Sequence, residues 1–254
     1  MRNQTSVSAD HGLSRSHTKP TDSKDFIRNI MLDLAVLADK LQTGDLKDKK
    51  LSLAALRDVP GPDAVKLIKL VLDDDNQQVR SMAIFALGIK QTAESFPLLV
   101  KILETDPDYG IRADAAGALG YLEDPRAFEP LMRSFYEDTD WLVRFSAAVS
   151  LGNLKDARAH DALIQALHSP EVILQQAAIA AFGEIGDITA LDEILAFAQS
   201  DDWLVRQRLA EALGNLPTKK SVSALRYMAK DHHSQVSEAA QISLDRLNGA
   251  DLAD

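Results

Sequence analysis

A block of Asp, two residues, Val-Arg, then Ala and Ala-Leu-Gly returns along most of this chain every 31 or 32 residues. It reads DNQQVRSMAIFALG from Asp75, DYGIRADAAGALG from Asp108, DWLVRFSAAVSLG from Asp140 and DWLVRQRLAEALG from Asp202. Arginine recurs at Arg80, Arg112, Arg144 and Arg206, with Gln175 in the one missing register, and glycine at Gly88, Gly120, Gly152, Gly183 and Gly214. A fixed period of this length marks a stack of two-helix units, each touching mainly its neighbours. It moves the search for function from a catalytic pocket to an extended surface.

Within each unit the second helix places its apolar residues on one face of a 3.6-residue period: Val79, Ala83, Ala86, Leu87, then Ile111, Ala115, Ala118, Leu119, then Val143, Ala147, Ser150, Leu151. Asp108, Asp140 and Asp202 stand where an N-cap belongs, able to accept from otherwise unpaired first-turn N–H groups. The terminal glycine of each unit suits a left-handed residue that ends the helix. First helices fit the intervals 62–72, 94–104, 126–137, 158–168, 189–199 and 221–230, with Asp124-Pro125 as a strong start signal and Asp156 and Asp187 in matching places. A helix over 26–41 followed by 46–56 makes an opening unit, with Lys49 in the arginine register. The closing unit has Ser237 there. Atypical ends are expected of capping repeats. The predicted fold is an all-α solenoid of about seven helical hairpins, wound as a right-handed superhelix, over residues 25–247. A disordered tail is expected over 1–24 and a short frayed end over 248–254.

Composition narrows the function. A net charge of −10 and a pI near 5.1 argue against nucleic acid, whose phosphates demand a basic surface. No apolar run reaches the roughly 18 residues of a membrane span, so no membrane insertion is expected. The first residues lack the apolar stretch of a secretory signal, and the expected location is cytoplasmic. Zero cysteines exclude disulfides, thiolate metal sites and cysteine nucleophiles. There is no phosphate-binding glycine loop, no His-Glu-x-x-His and no serine-nucleophile elbow. His160 and His168 are too far apart on one helix to share a metal, and none is expected.

Two sets of columns remain. The arginines are expected to form a structural ladder, each pairing with the N-cap aspartate of its own or an adjacent unit, and Gln175 would interrupt it. Three residues before each arginine register lie Gln77, Tyr109, Trp141, Val172, Trp203 and Ser234, a column that holds both tryptophans of the chain. Rings repeated at helix N-termini suit a surface that packs a flat ligand or a partner protein; equally, they can cover the inter-helix loops. Leu142, Phe145 and Val149 extend this as an apolar strip outside the core register. Asp114, Arg208 and Glu211 add charge on corresponding helix faces. A carboxylate and a guanidinium beside aromatic rings can bind a flat molecule with ring nitrogens and acidic groups, although solvated surface charge explains each residue singly.

From about Pro62 to Leu247 the chain resembles HEAT-repeat proteins. The segments DYGIRADAAGALGYLEDPRAFEPL and DTDWLVRFSAAVSLGNLKDARA resemble the phycobilin lyase E/F-like branch of cyanobacteria, most closely its phycobilisome-degradation type. That resemblance implies binding of phycobiliprotein subunits or their linear tetrapyrroles, with attachment, removal or disassembly as the outcome. It implies no resident cofactor, the bilin being a ligand. Lyase-type activity stays open, with Asp114 or Glu211 as the group that handles a proton. So does a non-enzymatic scaffold for a protein partner.

Overall fold

The computed structural model describes residues 34–249; the expected tail over 1–24, the start of the opening helix and residues 250–254 of the expected frayed end lie outside them. The described residues form seven helical hairpins. They are α1 (34–43) with α2 (Leu46–Ala55), α3 (Gly61–Ile68) with α4 (Gln77–Ile89), and α5 (Ser95–Thr105) with α6 (Tyr109–Leu122). Then come α7 (Phe128–Glu137) with α8 (Trp141–Asn153), α9 (His160–Leu167) with α10 (Val172–Ile185), α11 (Leu191–Leu195) with α12 (Trp203–Leu213), and α13 (Lys219–Met228) with α14 (Ser234–Leu247). One continuous core runs the length of the stack, with Val79, Ile111, Val143, Leu174, Val205 and Val236 repeated in it layer after layer.

The helix starts follow their local chemistry. Asp108, Asp140 and Asp202 accept from the N–H groups of Gly110, Leu142 and Leu204, and Asn76 does the same for α4. Asp124, Asp156 and Asp187 cap single 3-10 turns that lead into α7, α9 and α11.

The repeated glycines do something other than end helices. Left-handed residues come later, at Glu123, Lys155 and Gly186, while Gly88, Gly120, Gly152 and Gly183 lie inside their helices and Gly214 follows α12 in right-handed conformation. Each presses on a small residue of the next second helix. A Cβ on Gly120 would sit 2.6 Å from Ser150 Oγ, one on Gly152 2.8 Å from Ala181, and one on Gly183 2.7 Å from Ala212. Ser150 adds a buried bond to the Ala116 carbonyl at 2.9 Å. The second helices therefore pack against one another far more intimately than the first helices do. A stack drawn tighter along one row curves toward that row, so the second helices line the inner face.

Charge ties the layers along one edge. Arg112 grips Asp138 with two bonds of 2.8 and 2.9 Å, and Arg206 grips Asp231 at 2.7 and 3.0 Å. Lys49 reaches Asp74 in the opening unit, and Arg144 reaches Glu171 at 2.8 Å. The acceptor is the N-cap residue of the next unit only for Arg144. Elsewhere it is the aspartate two residues earlier: the Asp140 cap that faces Arg112 is occupied by its own helix, and the Asn76 and His233 caps that face Lys49 and Arg206 carry no carboxylate. Arg80 makes no such pair, and bonds only the Asp74 carbonyl, at 2.9 Å. Gln175 keeps the equivalent bond to the Ser169 carbonyl at 2.8 Å, so it drops the cross-layer contact without loosening its own turn. On the opposite edge Arg126 and Arg158 fold over Phe96 and Phe128 of the preceding units at 4.3 and 3.9 Å.

Gly120→Ala should destabilise the fold by about 1–3 kcal/mol through overpacking. Gly117→Ala, where a Cβ meets nothing within 4 Å, should stabilise it by about 0.5–1 kcal/mol. Denaturant melts of the two variants check this, and equal effects would refute the close-approach account.

Asp231→Asn should cost about 3 kcal/mol at neutral pH, because Arg206, only 6% exposed, would lose its counter-charge. The Arg206 bonds and the His233 N–H hold the Asp231 carboxyl below its ordinary value, against the opposing effect of burial. A carboxyl lowered by folding stabilises above its unfolded pKa of about 4 and stops doing so as pH falls through the folded value. The gap between wild type and variant should therefore be full at pH 7 and shrink below about pH 4; melts across pH measure it.

Candidate functional site

Tyr109, Trp141, Val172 and Trp203 are the first residues of α6, α8, α10 and α12, so capping alone places them on one edge of the stack. All four face solvent: Tyr109 is 53% exposed, Trp141 46% and Trp203 36%. With helices about 10 Å apart, the row spans roughly 30 Å. Its members also lean on the next layer's cap. Gln77 donates to Asp108 at 3.1 Å, and the Trp203 indole stacks on His233 at 4.2 Å and 11°. One face of Trp203 is thereby covered by the loop beside it, while the row as a whole stays open.

Leu142, Phe145 and Val149 lie elsewhere than expected. They are half-buried and pack against the core, so they do not form an exposed strip. The inner row is drawn so close that positions beyond the usual core face are covered by the neighbouring helix.

The charged candidates stand on the inner face but not together. Arg208 and Glu211 share a groove of about 540 Å³ between α10, α12 and α14, with Gln207, Glu238, Ile242 and Arg246. Both Glu211 oxygens are taken, by Gln207 at 2.8 Å and Arg208 at 2.8 Å. Asp114 is three helices away on α6. Its side chain is exposed, but the helix walls on either side strip water from it, and this desolvation foremost pushes its carboxyl above the ordinary value; the charge of Asp108 adds to the rise and Ser81 opposes it. Of the two carboxylates, Asp114 is the one without an ion-pair partner among the described residues.

The positions that line the groove in α12 recur in α4 and α6 as Ser81, Phe85, Asp114, Gly117 and Tyr121. Phe85 and Tyr121 are exposed and meet edge to face, with centroids 6.1 Å apart. This pair was not singled out from the sequence, since neither ring recurs in its column. The available signal was a phenylalanine at Phe85 where the other units carry Gly117, Val149, Ala180, Glu211 and Ile242. His160 contacts Asp187 at 2.7 Å and the Phe182 ring, a pairing between layers. Among the described residues no three His, Asp or Glu gather as a metal site, and no helix is long and apolar enough to cross a membrane.

Comparison with known proteins agrees with the architecture. The chain is similar in structure to the complex of CpcE and CpcF of phycocyanin lyase from Nostoc sp., at 18% identity and TM-score 0.56 over 95% of this chain and all of that one. It is similar to YibA from E. coli, at 18% identity and TM-score 0.52 over 92% of this chain and all of that one. An archaeal HEAT-like repeat protein from Thermococcus onnurineus matches at 16% identity and TM-score 0.51, over 91% of this chain and 98% of that one. At such identities the likeness establishes the fold. No curated protein sequence matches the chain. The family model for HEAT repeats matches residues 34–119, 64–152, 96–173 and 160–245, which overlap along nearly the whole stack, and the chain therefore belongs to the HEAT-repeat family.

Proposed function

We propose that this protein is a binding solenoid whose aromatic edge grips a phycobiliprotein subunit, or the bilin that subunit carries, in phycobilisome disassembly or in bilin attachment and detachment. The observation that carries the reading is the row of outward-facing rings at one helix register: Tyr109, Trp141 and Trp203. Half-exposed indoles in the first turn add little to the core. They offer rigid contact area at low entropic cost, as binding anchors do. The partner's identity rests on the resemblance of the DYGIRADAAGALGYLEDPRAFEPL and DTDWLVRFSAAVSLGNLKDARA segments to the phycobilin lyase E/F-like proteins. A comparable solenoid in the CpcE–CpcF complex of a phycocyanin lyase is in keeping with it.

Under the same proposal, chromophore chemistry would draw on Asp114. Adding or removing a bilin at a partner's thioether requires a proton to be moved, and an accessible carboxyl raised by the desolvating walls beside it is suited to carry one. Glu211, with both oxygens bonded, is the weaker candidate. A scaffold without pigment chemistry would use the same edge and ask no proton of Asp114.

The test is a pull-down of phycocyanin by the purified chain, with absorbance of the bound material. Binding is expected for wild type and a loss of about tenfold or more for Trp141→Ala with Trp203→Ala. More than half of each ring is covered, so each truncation should also cost about 1–2 kcal/mol of stability, and circular dichroism must show the double variant folded. A bilin band altered by wild type but not by Asp114→Asn would favour chromophore chemistry; capture with an unaltered band would favour the scaffold. Absent capture and inert spectra together would end the phycobiliprotein reading.

A further inference from the structure

The inner face between α4 and α6 carries a notch that the aromatic edge does not use. Gly117 stands in the middle of α6 without a positive φ, and a Cβ there would meet nothing within 4 Å. Glycine inside a helix lowers its stability. At Gly88, Gly120, Gly152 and Gly183 close packing on the next helix accounts for that loss; at Gly117 neither packing nor backbone geometry does. What the missing side chain leaves is open space on the inner face. Phe85 stands at the same register on α4, Tyr121 one turn further along α6, and Asp114 one turn before.

We propose that this notch receives an arginine side chain from a partner polypeptide. The Phe85 and Tyr121 rings would stack on the planar guanidinium and its stem, and Asp114 would pair with its charge. The sign of the partner follows from the inner face as a whole. Asp114, Glu184 and Glu238 make no ion pair among the described residues; against these three stands Arg246, which bonds the neutral Asn215 amide, while Arg208 is already neutralised by Glu211. An acidic inner face on a chain of net charge −10 selects a cation and repels an anionic group. Asp114 is exposed to an incoming group, yet desolvation by the flanking helices without a counter-ion raises its carboxyl, and a guanidinium would oppose that rise. The inference rests on the reading that the chain binds another polypeptide, and it stands whether or not that partner is a phycobiliprotein.

Fluorescence anisotropy tests it with a fluorescein-labelled peptide of alternating arginine and alanine, against the same peptide with glutamine for arginine. Wild type should bind the arginine peptide at least about tenfold more tightly than the glutamine peptide. Gly117→Leu, which fills the notch, and Asp114→Asn should each weaken binding about tenfold. Glu238→Gln, on the same acidic face but four helices of the inner row from Gly117, should change it less than about twofold. Phe85→Ala, at an exposed side chain, is the second variant should Gly117→Leu fold poorly by circular dichroism, and it too should weaken binding. Equal affinity for both peptides, undiminished binding by both notch variants, or as large a loss from Glu238→Gln as from Asp114→Asn would overturn the proposal. No phycobiliprotein enters this experiment, so its failure is separable from failure of the edge reading.

Discussion

The structure depends on one contact repeated between layers: a glycine late in, or just after, each second helix from α4 to α12 lying against an alanine or serine of the next. With no Cβ in the way, neighbouring helices approach until side chain meets backbone, as between Gly152 and Ala181 or Gly183 and Ala212. The first helices meet through larger side chains and stand further apart. The difference between the two rows bends the stack, and the bend gives it an inner face. Close approach also makes the layers rigid with respect to sliding, since dense interiors resist small displacements.

That fixed offset is what lets the edge chemistry repeat. An arginine reaches the carboxylate of the next unit only if the layers stay in register, and the two-bond grips of Arg112 and Arg206 hold them there. The N-cap of each second helix then sets its first residue at the rim. Tyr109, Trp141 and Trp203 form a row because capping, ladder and close packing all repeat with the same period. Exposed rings and an acidic inner face are the features of this molecule that folding alone does not require. Both candidate surfaces arise there.

Much of this could be read from the chain, and what could not has a common cause. Helix spans, cap residues and the aromatic column are set by neighbours within a few residues, so Asp108, Asp140 and Asp202 were recognisable as caps. Glycine was ambiguous: a helix end and a close helix crossing both select it, and only the neighbouring layer separates them. The ladder's acceptor shifted by two residues because the Asp140 cap is consumed by its own helix, while the Asn76 and His233 caps offer no carboxylate. Leu142, Phe145 and Val149 lost their exposure for the same reason the glycines gained their role, the tightness of the inner row. Phe85 and Tyr121 had no column to announce them.

The chain alone determined that it folds as stacked helical hairpins, where each helix starts and which side chains share a register, because those depend on local hydrogen bonds and a period written in the residues. Which face is inner, which carboxylate each arginine holds, and that Gly117 opens a gap where Gly120 closes one were decided only in three dimensions. Those facts concern distances between layers some thirty residues apart in the chain, and a sequence records order along the backbone, whereas the spacing across the stack comes from how the side chains of two units share volume.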